Sequence, residues 1–369
     1  MAGQTHIIRD AVHRDIALTE LELKIINTPT FQRLRRIKQL ALAYMVYPSA
    51  NHTRFEHSLG TMHLAGLLSR NLGFSEDAIS IIRLQGLLHD VGHLAFSHES
   101  EFVAKEVLGT HEELGRSLIM QSELKDILST AYSKSELQAI VHKEEKLITG
   151  DIGVDRMDYL VRDAYHTGVA YGVIDVPRII NTSVLHDNEL AIDIRGLESV
   201  EGFLIARHLM YSTVYMHKTV RILSAMLQRA LSAALKVFDA HNLLNSSDDE
   251  LLYVLGKQEA SAEMVRRIHT RNLYKRAAEL SYDKYKDDCR HLASELSQKC
   301  KFDFIVDIPH LHMGLEGVKV HVGGRLFDIR IVSKLVDTLE ASERDKSTIL
   351  FACDTEHVKA LAAEIDKIV

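Results

Sequence analysis

The chain has 369 residues, 46% apolar and 26% charged, an ordinary globular composition that excludes a mainly disordered polymer. Its 44 Lys and Arg against 51 Asp and Glu leave a formal charge of −7, so nucleic acid is not held by bulk electrostatics and is not an expected partner. Three cysteines without a C-x-x-C pair exclude a disulfide framework and a thiolate zinc ribbon, and fit a reducing compartment. In chain order, the N-terminus MAGQTHIIRDAVHRD has no apolar signal core, and no later run approaches 18 apolar residues. A cytoplasmic protein with no membrane contact is therefore expected. Helical periodicity is read in 18–28, 31–47, 58–73 and 75–92, with Gly73 as a stop and Ser75 as a start. It continues through 114–128, 135–148, 154–165, 198–238, 249–257 and 261–299, so residues 1–240 read as all-α. The tail changes character. FDFIVDIP (302–309), VKVHVGG (318–324), RLFDIRIVS (325–333) and STILFACD (347–354) read as strands, with a hairpin turn at Gly323-Gly324 and a closing helix. Residues 241–369 thus form a small α+β lobe, with the boundary near NLLNSSDDE (242–250).

Histidine is the anomaly. Seven of the 21 lie between His52 and His111, about twice an even share. Within or just beyond that window, RFEHSLG puts His57 at a helix start, LLHDVGHLAFSH puts His89 and Asp90 at a helix end, and GVDRMDYLVRD puts Asp155 at a third helix start. Two imidazoles and two carboxylates make a mixed N/O set suited to a divalent Fe, Mn, Zn or Mg ion. An HD pair alone occurs by chance and each His could simply end a helix, so the surrounding residues decide. His93 and His98 follow the pair, Glu101 lies beyond them, and His111-Glu112 opens the next segment. Arg207, Tyr211, Tyr215 and Lys218 fall at i, i+4, i+8 and i+11, one face of a helix with a cation at each end. Asp155, Asp158, Tyr159, Arg162, Asp163 and His166 fall on one face of another; if that helix is buried, its acids need partners. QRLRRIK (32–38) is the one dense basic run and reads as a solvated helix face rather than a nucleic-acid site. No P-loop and no G-x-G-x-x-G occurs.

In this order, TPTFQRLRRIKQLALAYMVYPSANHTRFEHSLG, LLHDVGHLAFSHE, HEELG and GVDRMDYLVRDAYHTGV resemble the HD-superfamily phosphohydrolases. The similarity is to the branch with the SAM-and-HD-domain deoxynucleoside triphosphate triphosphohydrolase and its prokaryotic relatives, over roughly residues 6–235. The resemblance implies a mainly α fold, an HD-domain helical bundle, joined here to the small α+β C-terminal lobe. It implies one divalent metal ion on His57, His89, Asp90 and Asp155. His93, His98 and His111, partnered by Glu101 and Glu112, would line the phosphate site, with His111 the acid for the leaving oxygen. Arg54, Arg156, Arg207 and Lys218 would meet phosphates. Gln39, Tyr159 and Asp163 would meet the sugar's 3′ side. Leu40 and Tyr215 would crowd its 2′ position, with Tyr211 on the same stripe.

The expected reaction is hydrolysis of a (deoxy)nucleoside triphosphate to nucleoside and triphosphate. The alternatives are an HD phosphatase or phosphodiesterase on monophosphates or cyclic nucleotides, or a non-catalytic nucleotide-sensing module. A homo-oligomer, dimer or tetramer, is expected, with the C-terminal lobe a candidate for assembly. There are departures from the family. The SAM domain is expected to be absent, Ala11 and Arg14 stand where the family reads D-P-x-H-G, and Ala41, Leu42 and Ser49 occupy positions often held by Gly.

Overall fold

Helix boundaries fall where the sequence supplies caps. Thr53 with Glu56, and Thr110 with Glu113, form capping boxes that satisfy the first free amides of Arg54–Asn71 and His111–Gln121. Ser75 caps Glu76–Leu88, and Gly73 takes a φ of +77° just after the preceding helix. A computed structural model describes residues 6–142, 146–187, 189–236, 239–309 and 317–369; parts of the helical patterns at 135–148 and 198–238 lie outside the described residues.

The strands, in chain order, are β1 (His6–Asp10), β2 (Arg14–Leu18), β3 (Ser183–His186), β4 (Glu189–Asp193), β5 (Lys275–Ser281), β6 (Phe304–Asp307), β7 (Lys319–Val322), β8 (Arg325–Asp328) and β9 (Thr348–Cys353). The principal helices are α1 (Glu20–Ile26), α2 (Arg54–Asn71), α3 (Glu76–Leu88), α4 (His98–Leu108), α5 (His111–Gln121), α6 (Val154–Thr167), α7 (Leu197–Met210), α8 (Lys218–Ala234), α9 (Glu259–His269), α10 (Cys289–Lys299) and α11 (Val358–Asp366). The fold is mainly α with small sheets, as expected.

Two compact units interleave along the chain. The first comprises Met1–Arg207, Ala240–Asp249 and Gly314–Val336. Its core packs Phe31, Leu34, Phe55, Leu59, Met62, Leu84 and Leu88. Helices α2 and α3 approach closely because Gly86 faces the backbone of Met62, where a Cβ would lie at 3.2 Å. This unit is not all-α as the sequence suggested. β1 and β2 form an antiparallel hairpin, and β3-β4-β7-β8 form a sheet in which β7, from the C-terminal third, pairs in parallel with β4. Short strands with four or five residues carry too few alternations to stand out from helical patterning. The β7–β8 turn is at Gly323-Gly324, with φ of +55° and +80° as a primed hairpin turn requires.

The second unit comprises His208–Asp239, Glu250–Met313 and Asp337–Val369. β9 lies between β5 and β6, both antiparallel to it, and its last five residues are buried, which explains its unbroken apolar run. Cys289, Leu292 and Leu296 of α10 and Leu361 and Ile365 of α11 pack with its Ile349, Phe351 and Cys353.

Four local expectations are corrected. Residues 31–47 do not form a long helix: they make 3-10 turns at Arg33–Arg36 and Ala41–Met45, separated by Lys38, which bridges to Thr53. The basic run within them is not one solvated helix face: Arg35 and Arg36 are exposed, but Arg33 is buried and donates to the Val91 carbonyl at 2.9 Å. Residues 261–299 are interrupted by β5, whose partner β9 is distant in sequence and overrides the local pattern. The strand expected over 325–333 ends at Asp328, which caps a short turn Ile329–Val332.

Candidate active site

Helices α2, α3 and α6 bring His57, His89, Asp90 and Asp155 together. His57 is the fourth residue of α2, His89 caps the C-terminus of α3, and Asp155 is the second residue of α6. His57 Nε2 lies 3.0 Å from Asp155 Oδ1 and 3.6 Å from Asp90 Oδ2. His89 Nε2 lies 3.3 Å from Asp90 Oδ1 and 3.7 Å from Asp155 Oδ1. Donor atoms of His57, His89 and Asp155 lie within 4.8 Å of one another, close enough to share one cation, and Asp90 borders this group at His89. The two Nε2 atoms are buried and have no hydrogen-bond partner. Each opposite ring nitrogen is spoken for: His57 Nδ1 donates to Asp158 Oδ2 at 2.7 Å and His89 Nδ1 donates to the Gly86 carbonyl at 2.8 Å. Both hydrogen bonds leave the Nε2 lone pairs for a metal. The residues fit a divalent cation.

Asp158 is the hub behind His57. Its other oxygen accepts from His13 Nε2 at 2.6 Å, and Arg162 spans it at 2.9 and 2.8 Å while also reaching Asp10 at 2.8 Å. Gly60 makes room, because a Cβ there would sit 1.8 Å from Asp158 Oδ1. Burial opposes charge on His57, but Asp155 and Asp158 outweigh it and push its pKa up to about 10. Burial likewise opposes charge on Asp90, and Arg54, His89 and His93 outweigh it and hold the carboxyl well below its usual range.

Asp90 also links this group to a second. Its Oδ1 is 3.3 Å from His93 Nε2, and Arg54 Nη1 donates to its Oδ2 at 2.5 Å. The His93 ring stacks on His111 at 4.0 Å between centroids, and His98 meets both edge-on. Donor atoms of His93, His98, Glu101 and His111 lie within 4.8 Å of one another. His111 Nδ1 donates to Glu101 Oε2 at 2.9 Å, while its Nε2 is 3.3 Å from Glu112 Oε1. Burial disfavours a proton on His111, yet Glu101 and the nearby Asp90 and Glu112 raise its pKa. His93, fully buried beside Arg54, is pushed the other way. One ring of the stacked pair favours the proton and the other does not.

The architecture has counterparts among known proteins. The HD domain family matches residues 54–163, and the HD-associated region matches residues 174–369. The crystal structure of a hypothetical protein from Aquifex aeolicus superposes with a TM-score of 0.83 and 33% identity, covering 98% of this chain and 100% of that one. The chain belongs to the HD superfamily. An uncharacterized protein of Methanocaldococcus jannaschii is 44% identical over 75% of this HD chain and 60% of its own length. The human deoxynucleoside triphosphate triphosphohydrolase SAMHD1 is 29% identical over 84% of this chain and 63% of its own. The HD chain thus spans about three fifths of these two curated relatives' lengths, and its sequence lies close to the SAMHD1 branch.

The remaining residues singled out from the sequence fall in four places. Arg156 and Arg207 of this HD protein both approach Asp151, Arg156 directly and Arg207 at 3.8 Å. Asp163 Oδ1 accepts from the buried His52 Nε2 at 2.7 Å, and the His52 ring stacks on His166. The Tyr159 ring stands edge-on to His57, and burial leads a rise of its pKa to about 12. Gln39 donates its backbone N–H to the His52 carbonyl, next to Leu40 at the 3-10 turn. Tyr211, Tyr215 and Lys218 belong to the second unit. They do not share one regular helix face with Arg207: Tyr211–Tyr215 is a π-helical turn, and α8 starts anew at Lys218 after the cap His217.

Sequence reasoning missed roles for Asp10, His13, His52, Asp151 and Ser97, whose Oγ accepts from Arg54 Nε at 2.9 Å. Only Asp158 left a signal, three residues after Asp155 on one helix face.

Proposed function

We propose that this HD protein is a metal-dependent phosphohydrolase that cleaves (deoxy)nucleoside triphosphates to nucleoside and triphosphate. The observation that carries the reading is Asp90, whose Oδ1 lies 3.3 Å both from His89 of the group His57, His89 and Asp155 and from His93 of a histidine cluster able to supply a proton. The similarity to the human triphosphohydrolase supports the choice of substrate. His57, His89, Asp90 and Asp155 would hold a divalent ion, which would supply Lewis acidity toward water and the α-phosphate. Arg54 steadies Asp90 and keeps it anionic. Glu101 orients His111, whose raised pKa keeps a proton available near neutral pH. That proton goes to the 5′-oxygen as the bond from α-phosphorus to that oxygen breaks and water's oxygen takes its place, and the proton the water gives up passes through solvent to restore His111. Glu112 stands at the other ring nitrogen. His93 and His98 face the phosphates with Arg156 and Arg207, and the family resemblance assigns Lys218 to phosphate and Tyr215 to the sugar. Gln39, Leu40, Tyr159 and Asp163 serve the sugar, and the active form is a cytoplasmic homo-oligomer.

Product analysis tests the reading. A panel of ribo- and deoxynucleoside triphosphates with Mn²⁺, Fe²⁺, Mg²⁺ or Zn²⁺ is expected to yield nucleoside and intact triphosphate. Orthophosphate without triphosphate, or turnover only of monophosphates or cyclic nucleotides, would replace it with the phosphatase or phosphodiesterase reading. Asp90→Ala is expected to abolish turnover in metal-replete protein; full activity in that variant would leave a sensing module.

A further inference from the structure

We propose that Asp151 is a built-in competitor for the substrate's phosphates, its carboxylate holding the places on Arg156 and Arg207 that phosphate oxygens take. The proposal rests on the assignment of these two arginines to a polyphosphate. Asp151 Oδ1 pairs directly with Arg156 Nη1 and is 3.8 Å from Arg207 Nη1. Its Oδ2 accepts the Gly317 N–H at 3.2 Å. The carboxylate and the two guanidinium side chains are 15%, 22% and 6% exposed, so their attraction is only partly screened by water.

The carboxylate is held in place rather than free to drift. Asp151 lies in a tight turn between Gly150 and Gly153, where added Cβ atoms would come within 2.3 Å of Lys146 O and 2.2 Å of Ile148 O. It is four residues before the candidate ligand Asp155.

A carboxylate offers one charge and two oxygens, and here the second oxygen is already used by a backbone amide. A polyphosphate offers more charge and three oxygens on its terminal group, so it can displace Asp151 where a singly charged anion cannot. Asp151 would therefore weaken all anions at this position and select for the highly charged ones.

Calorimetric titration with inorganic tripolyphosphate compares wild type with Asp151→Asn, which is nearly isosteric and keeps an acceptor for Gly317. The dissociation constant is expected to fall about tenfold in the variant, with a lower KM for nucleotide and a smaller change in kcat. Asp151→Ser provides the same charge removal in a second background. Weaker or unchanged tripolyphosphate binding in a folded variant would overturn the competitor, because a residue that merely positions the arginines loses affinity when removed. If wild type and both variants bind no tripolyphosphate, the phosphate assignment of the arginines fails instead. A readout on wild type alone is amide exchange at Gly317, expected to speed up when tripolyphosphate draws Asp151 away from its arginines; unchanged protection in the saturated protein would count against displacement.

Discussion

Asp158 shows how much of this site lies one bond behind the ligands. It does not face the candidate ion, yet it fixes which nitrogen of His57 does, and it is itself fixed by His13 and Arg162. Asp158→Asn keeps the shape but removes the charge that pairs the buried Arg162, and an amide cannot accept from three donors as a carboxylate does. Metal affinity is expected to fall about 10–100-fold, read by metal content after dialysis against graded free metal. Stability is expected to drop by about 3–5 kcal/mol in denaturant unfolding, because Arg162 keeps only Asp10 as an ionised partner. Unchanged metal content would show that His57 needs no such support. At this scale the candidate ligands were legible because HD, RFEHSLG and GVDRMDY are contiguous strings. Their supports were not, because His13 meets Asp158 across 145 residues of sequence. Arg14 makes a related point. It stands where the family carries Gly, and the structure gives it φ of +63° at the end of a three-residue hairpin loop, a position that favours Gly. Ala41 repeats this with φ of +45°. Both departures therefore carry backbone strain in this chain.

Among the elements, the approach of α5 to the loop after α3 sets the histidine cluster. A Cβ on Gly92 would lie 2.0 Å from His111 O and 2.3 Å from Gly115 N, so the start of α5 can press against the HD loop only because residue 92 is glycine. The group that approaches Gly92 is the helix carrying His111. Across the loop, Phe96 and Ser97 take φ of +57° and +48°, and Asp248 holds it by accepting the Phe96 N–H at 2.8 Å while its other oxygen accepts Lys38 N–H. Such strain is retained only where neighbours enforce it. Gly92→Ala is expected to push α5 back by 1 Å or so, separating His111 from His93. Turnover should fall about 100-fold while metal content stays near that of wild type. Loss of metal along with activity would mean that α5 and the ligand set move as one body. Long capped helices such as α2 and α3 were legible from periodicity; the 3-10 turns of 33–45 were not, since their contacts to Val91 and Thr53 come from elsewhere in the chain.

For the whole molecule, the balance of buried titratable groups decides how pH and metal act on stability. His63 on α2 faces His13 at 5.5 Å between rings, with Arg83, Asp10 and Asp158 also acting on it. Burial, then the positive charge of His13 and Arg83, lowers its pKa to about 4, against the weaker pull of the two carboxylates. A histidine whose folded pKa lies below its unfolded value stabilises the fold fully above about pH 6.5 and loses that contribution as pH falls toward 4. After allowance for its partial exposure this is on the order of 1–2 kcal/mol, and His63→Gln should remove that part of the slope. His57 has the opposite sign: its raised pKa stabilises metal-free protein below about pH 6.5 and is lost as pH rises through about 10. Metal replaces the proton on His57, so binding releases it and tightens as pH rises. Chelation is therefore expected to cost little near pH 6 and more at pH 8, about 2–3 kcal/mol when free metal had stood at about 100 times its dissociation constant. Differential scanning calorimetry of EDTA-treated against Mn²⁺-loaded protein at both pH values measures this. A gap in Tm that stays constant or narrows between pH 6 and pH 8 would mean that cation and proton do not compete for His57.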